Sequence, residues 1–192
     1  MQKVVLCLLE TIHQRSGETM LMAVDGRCAA GKTTLAARLQ RETGCSVIHM
    51  DDFFLRPEQR TERRIQESGG NVDHERFLEE VMLPLSRWEP FTYRKYNCKQ
   101  QKMSPAIQVE PGEIVIIEGS YSCHPVLWDY YDFRVFLDID PEEQLRRIRQ
   151  RNGSQAVPVF RDRWIPLEEQ YFDAYQVRER CDLIYTSKSI SP

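Results

Sequence analysis

No stretch of this 192-residue chain stays apolar for long. Its longest runs, Val4–Leu9 and Ile114–Ile117, fall far short of the roughly 20 residues that cross a bilayer, so no membrane partner is expected. Lys3 and the short apolar run after it are soon followed by Glu10 and His13 with no small-residue cleavage site, so no signal peptide is expected either. An excess of one charge is also missing. With 26 Lys and Arg against 29 Asp and Glu the net charge is -3, which gives no global reason to expect nucleic acid. None of the six cysteines (7, 28, 45, 98, 123 and 181) forms a Cys-x-x-Cys pair. Their spacing suggests neither a zinc site nor a disulfide scaffold, and free thiols in a reducing cytoplasm are the expectation. Repeats and low-complexity tracts are absent. So is an Asn-Lys-x-Asp guanine motif, for which Thr186-Ser187-Lys188 is too little.

What is present is an ordinary globular composition, 41% hydrophobic and 29% charged, read as a single domain over residues 1–192. Short apolar segments alternate with longer amphipathic ones. Residues 3–14 read as a lead-in helix, Met20–Val24 as a strand, Lys32–Thr43 as a helix stopped by Gly44, and Ser46–Met50 as a second strand. Residues 57–67, dense in charge and ending in Ser68-Gly69-Gly70, read as an exposed, mobile excursion. His74–Trp88 is amphipathic but contains Pro84, which should bend or end it. Ile114–Ile117 and Phe133–Ile139 read as strands covered on both faces. Asp140 then caps a helix with Pro141 at its first position and Asn152-Gly153 at its end. A long helix over Pro166–Arg178 and a strand over Asp182–Thr186 close the chain. The alternation predicts an α/β fold with a mainly parallel sheet and helices on both faces. Its ligand site should lie at the carboxyl ends of the strands.

Gly26-Arg27-Cys28-Ala29-Ala30-Gly31-Lys32-Thr33 stands there, between a strand and a helix, and fits G-x-x-x-x-G-K-[ST]. The glycines let backbone amides turn inward around phosphate oxygens, and the following helix directs its positive end at the same anion. Lys32 supplies a point charge to the outer phosphates and Thr33, followed by Thr34, a hydroxyl for Mg²⁺, which predicts MgATP as cofactor. Cys28 lies inside the loop, where oxidation would obstruct a nucleotide.

Asp51 and Asp52 follow the second strand directly. Two adjacent carboxylates suit an acid–base task or a nearby cation, though a solvated turn or helix cap would use the same residues. Glu118 ends the apolar strand at Ile114–Ile117, a costly place for an acid unless it finds a cation, which suggests a magnesium role. Arg146, Arg147, Arg149 and Arg151 end one helix. Arg161 and Arg163 follow after an irregular segment containing Gly153 and Pro158. A kinase of small molecules needs a lid that excludes water, and arginines on it stabilise the moving phosphoryl charge. Arg151 and Arg163, flanking a lid at about 151–164, are the preferred candidates.

With these residues assembled, the chain resembles the uridine kinase and phosphoribulokinase family of P-loop kinases. The resemblance runs from about Met20 to Thr186 and rests on GRCAAGKTT at 26–34, MDDFF at 50–54, NVDHERF at 71–77, PFTYRKY at 90–96 and VIIEGSY at 115–121. The DDFF stretch is also similar to that of nicotinamide riboside kinases. The resemblance implies a five-stranded parallel core of order 2-3-1-4-5 with an acceptor-side excursion at about 55–105. It makes Asp51 the general base and Glu118 a magnesium holder. Asp52, Asp73, His74 and Tyr93 become acceptor contacts. Tyr93-Arg94-Lys95-Tyr96 departs from the family's acceptor segment, and Phe160-Arg161-Asp162-Arg163-Trp164 from its Arg-Gly-Arg lid. Arg94 and Lys95 would suit a phosphorylated acceptor or simply sit exposed on a strand. His13, His49 and His124 match no motif and are expected to be structural or exposed. The implied activity is ATP-dependent phosphoryl transfer to a nucleoside, with a sugar or sugar phosphate as the variant acceptor and a non-catalytic ATP-binding regulator as the alternative. Homo-oligomerisation stays open.

Overall fold

The computed structural model describes residues 1–15 and 17–186 and the backbone of 190–191; Ser187 and Lys188 lie outside the described residues. A six-stranded sheet forms the centre, in the order β2-β5-β1-β6-β7-β8. Its strands are β1 (Met20–Gly26), β2 (Ser46–His49), β5 (Ile114–Glu118), β6 (Phe133–Leu137), β7 (Leu183–Tyr185) and β8 (Ile190–Ser191). The first five are parallel, with registers such as Leu21 beside Val115 and Val24 beside Val135; β8 joins antiparallel to β7. Counted along the chain, the parallel strands run 2-3-1-4-5, the expected order.

Side chains alternate along β1, and both faces are covered. Met20, Met22 and Val24 pack with Val4, Leu8, Leu35 and Leu39 of helices Gln2–Gln14 and Lys32–Thr43. Leu21 and Ala23 point the other way, into a cluster containing Phe53, Phe77, Val81 and Tyr171. Burial on both faces explains why these strands read as continuous apolar runs. Each large apolar side chain so buried contributes about 1.5–3 kcal/mol before the entropy of ordering.

Between β2 and β5 the chain leaves the sheet, and here the structure corrects the sequence. The charged stretch at 57–67 is largely exposed, as expected, but regular rather than irregular: it forms a helical turn at Pro57–Gln59 and a helix at Glu62–Gln66 capped by Thr61. Gly69 and Gly70 are buried, because Arg64 reaches over to the carbonyls of Gly70 and Val72 and pairs with Glu75. From His74 the chain is helical to Leu85. A wide π turn at Leu78–Met82 precedes Pro84, and the helix ends one residue after that proline. A two-stranded hairpin follows, of β3 (Phe91–Asn97) and β4 (Lys102–Val109), outside the main sheet. Its register shifts where Ser104-Pro105 bulges, a position at which a strand tolerates proline.

The segment expected to form a lid is also more regular than expected. After helix Pro141–Asn152, capped by Asp140 as predicted, residues 154–164 are helical throughout and pass through a π turn at Phe160–Trp164 into helix Ile165–Tyr175. The long helix expected over 166–178 is broken at Gln176, whose φ of 50° is left-handed, and resumes as Val177–Arg180. Among the described residues no helix is long and apolar enough to cross a membrane.

Candidate active site

A cleft of about 790 Å³ opens at the carboxyl ends of the parallel strands. The loop 26–33 forms its floor. Gly26 has φ +126°, and a Cβ there would lie 2.1 Å from the Leu137 carbonyl oxygen, so only glycine lets β1 turn away beside β6. Cys28, Ala29, Gly31, Lys32, Thr33 and Thr34 line the cleft; Gly26, Arg27 and Ala30 do not. Gly31 caps the helix that starts at Lys32. The amides of that first turn have no carbonyl within the helix to bond, which leaves them for an anion.

Lys32 is buried. Its ammonium donates to the carbonyl oxygens of Gly26 at 2.5 Å and Arg27 at 3.1 Å and to Ser120 Oγ at 3.2 Å. Thr33 Oγ1 lies 3.1 Å from Glu118 Oε1. Glu118 is buried at the end of β5, and His49 Nδ1 is 2.5 Å from the same oxygen. The hydrogen bond to Glu118 raises the His49 pKa, so this histidine, expected to be structural or exposed, lies beside the acid with its protonated form favoured. Sequence gave no motif for it; its place at the end of β2, one strand from Glu118, is the reason for the contact.

Asp51 faces the cleft from the helical turn Met50–Phe53. Solvent reaches it, yet the surrounding walls strip away enough water to raise its carboxyl above the usual range. The charges of Glu118 and Glu168 act in the same direction, against Lys32 and His49. Gly119 lets β5 pass close by: with φ +139°, a Cβ there would stand 2.8 Å from Met50 Cβ and 3.5 Å from Asp51 Oδ1. Opposite the acids, Arg147, Arg151 and Arg163 line the lid side. Arg151 lies over Phe160, Arg163 over Trp164, and Arg147 donates to the Ala29 carbonyl.

The structure does not bring the four expected acceptor contacts to this cleft. Asp52 is held by Lys95 at 3.0 Å and by the Tyr93 hydroxyl at 3.3 Å. Asp73 is buried, caps its helix at Arg76 N and accepts from Gln59 Nε2 at 2.8 Å. His74 stacks on His124 with ring centroids 3.9 Å apart. Phe54, Arg60, Ile65, Asn71 and Cys98 line the cleft instead.

Two further acids went unread in the sequence. Glu168 is buried, its Oε2 accepting from Cys28 N at 2.9 Å and its Oε1 from Ser120 Oγ at 2.6 Å. Glu169 takes the Arg27 guanidinium in a two-pronged pair at 2.6 and 2.7 Å, joined by Asp138. The available signal was position: Glu168 shares a helical stripe with Tyr171 and Phe172, where an acid is out of place unless it has partners. Cys28, half-buried in the cleft wall, is disfavoured as a thiolate. Burial, reinforced by Glu168, pushes its thiol up to about 12.

A parallel α/β sheet with this loop, lysine and facing acids defines a P-loop protein of kinase-like fold. Residues 23–158 match the family model AAA_18, an AAA domain, and the chain belongs to that family. Among curated proteins it is 26% identical over 149 residues to a uridine kinase of Ligilactobacillus salivarius, covering 72% of this chain and 68% of that one. It is 30% identical over 139 residues to human nicotinamide riboside kinase 1, covering 68% and 64%. The chain thus spans about two thirds of the length of these relatives. In fold it is similar to a Bacillus stearothermophilus protein described as a possible uridine kinase, with TM-score 0.70, 22% identity, and 96% and 98% of the two chains covered.

Proposed function

We propose that this protein transfers the terminal phosphoryl group of ATP to a hydroxyl of a small-molecule acceptor, with a nucleoside as the first candidate. The observation that carries the proposal is Asp51, a carboxylate of raised pKa facing the phosphate loop and Lys32 across the cleft, with three arginines lining the lid side. A protein that only sensed nucleotide would need no such base. The names of the relatives support a ribosyl acceptor.

In this reading the loop amides and Lys32 hold the β- and γ-phosphates. Asp51 orients the acceptor hydroxyl and takes its proton as the oxygen bonds to phosphorus and the β–γ bridge breaks. Arg147, Arg151 and Arg163 offset the negative charge on the transferring group. Thr33 and Glu118 offer a hydroxyl and a carboxylate side by side, an oxygen set that suits a partly hydrated magnesium ion. When bound, that ion would neutralise charge between the phosphates. Asp52, Asp73, His74 and Tyr93 act behind the acceptor wall, by holding the hairpin and the turn at residue 73.

A sugar phosphate is the second reading, because Arg60 lines the acceptor end while Asp73 is engaged elsewhere. The test is a panel of nucleosides, sugars and sugar phosphates with MgATP, read by ADP release and by the mass gain of one phosphoryl group. Acceptor-dependent ADP identifies the substrate. ATP binding with no transfer across the panel would overturn the kinase reading in favour of a regulator.

A further inference from the structure

Glu168 stands in the phosphate loop as an anion would. Its carboxylate takes the Cys28 amide at 2.9 Å and the Ser120 hydroxyl at 2.6 Å, and Ser120 Oγ is itself 3.2 Å from the Lys32 ammonium. A buried acid bonded to one loop amide, and one hydroxyl away from the loop lysine, draws on the same loop that would recognise phosphate. Its charge is also felt at Asp51 and Cys28, whose pKa values it helps to raise. A phosphoryl oxygen and this carboxylate cannot both occupy that place without strong repulsion.

We infer that Glu168 is a resident anion of the phosphate loop, and that an incoming triphosphate binds by displacing it. Glu168 is a positioning residue in this account, acting through the loop and the lid rather than on the acceptor. It lies on helix Ile165–Tyr175, which runs without a break out of the π turn carrying Arg163. Glu168 lies five positions after the arginine on this continuous helical stretch, so a shift of the helix that carries Glu168 off the loop moves Arg163 with it. The neighbouring Glu169 keeps its grip on Arg27 and retains the helix near the loop. Occupancy of the loop and placement of the lid arginine are thereby linked. The inference rests on the reading of residues 26–33 as a triphosphate site but not on the acceptor.

The test compares the full chain with Glu168→Gln and Glu169→Gln, by calorimetry with inorganic pyrophosphate and with ATP, magnesium present, after melting curves show each variant folded. Glutamine keeps the shape at 168 and removes the competing charge, so Glu168→Gln is expected to bind both probes about tenfold tighter. Glu169→Gln is expected to bind no tighter than the unaltered chain. A merely structural role would give weaker binding at both positions. If Glu168→Gln does not fold, Glu168→Asp, a methylene too short to reach the Cys28 amide, is expected to tighten binding as well. Equal or weaker binding by the folded position-168 variant, with the unaltered chain binding normally, would overturn the inference alone. Failure of every protein to bind either probe would overturn the triphosphate reading with it.

Discussion

The Tyr171 hydroxyl donates to Asp25 Oδ2 at 2.9 Å, tying the helix after the lid to the residue just before the phosphate loop. Asp25 is fully buried and also accepts the amides of Gly26, Tyr121 and Cys123. One carboxylate therefore fixes the loop's first glycine, the turn after Glu118 and the helix that carries Glu168.

Asp25 should make stability depend on pH. Burial outweighs its four donors and raises its pKa from 3.8 to about 6. The protonated form is thus favoured in the folded chain. Its contribution is complete below about pH 4 and disappears as pH rises through about 6, on the order of 3 kcal/mol. Denaturant titrations between pH 4 and pH 6.5 should show this decline. Asp25→Asn should flatten it while lowering stability at every pH, because an amide nitrogen would face two donors.

Asp51→Asn should reduce kcat by a factor of about 10² to 10⁴ and leave ATP affinity within about twofold, since only the proton acceptor is lost. The unaltered enzyme should lose kcat as pH falls through the raised pKa of Asp51. Turnover at the normal rate in the asparagine variant would remove Asp51 from the chemistry.

Gly119→Ala should act on both acids at once. The new methyl group meets Met50 Cβ at 2.8 Å in a backbone conformation that alanine avoids, so β5 and the Met50–Phe53 turn must separate. A stability loss of about 1–3 kcal/mol is expected, with kcat falling more than ATP affinity. Melting curves and steady-state kinetics read the two effects separately.

Cys28 should resist alkylation. Its thiol, pushed up to about 12, holds almost no thiolate at pH 8, whereas Cys98 is exposed on the hairpin. Iodoacetamide followed by peptide mass spectrometry should find Cys98 modified first and Cys28 spared. Equal labelling of the two would contradict the burial of Cys28.

The parts of the site legible in sequence were those set by local chain geometry. The loop at 26–33 must lie between a strand and a helix, and Asp51 and Glu118 follow apolar runs that end at the mouth of the sheet. Glu168, Ser120 and His49 reach the loop only through tertiary packing, and spacing along the chain gives no measure of it. Hairpin β3–β4 is legible only in its first strand, where Arg94 and Lys95 read as exposed strand residues; the second carries Pro105, which a strand tolerates only at the bulge. Most charges of the stretch 57–67 are exposed, as a charged run implies; the exception is Arg64, whose side-chain hydrogen-bond partners lie beyond the run. In the fold, Arg64 satisfies two backbone carbonyls and Glu75.

The π turn at Phe160–Trp164 sets the angular phase between two working groups. Each helical residue turns the chain by roughly 100°, and a π turn carries one residue more than an α turn. Deleting a single residue there would rotate the helical stretch from Ser154 to Val159 by about that angle relative to Glu168. Arg163, inside that turn, and Glu168, five positions along, both reach the cleft with the phase it sets.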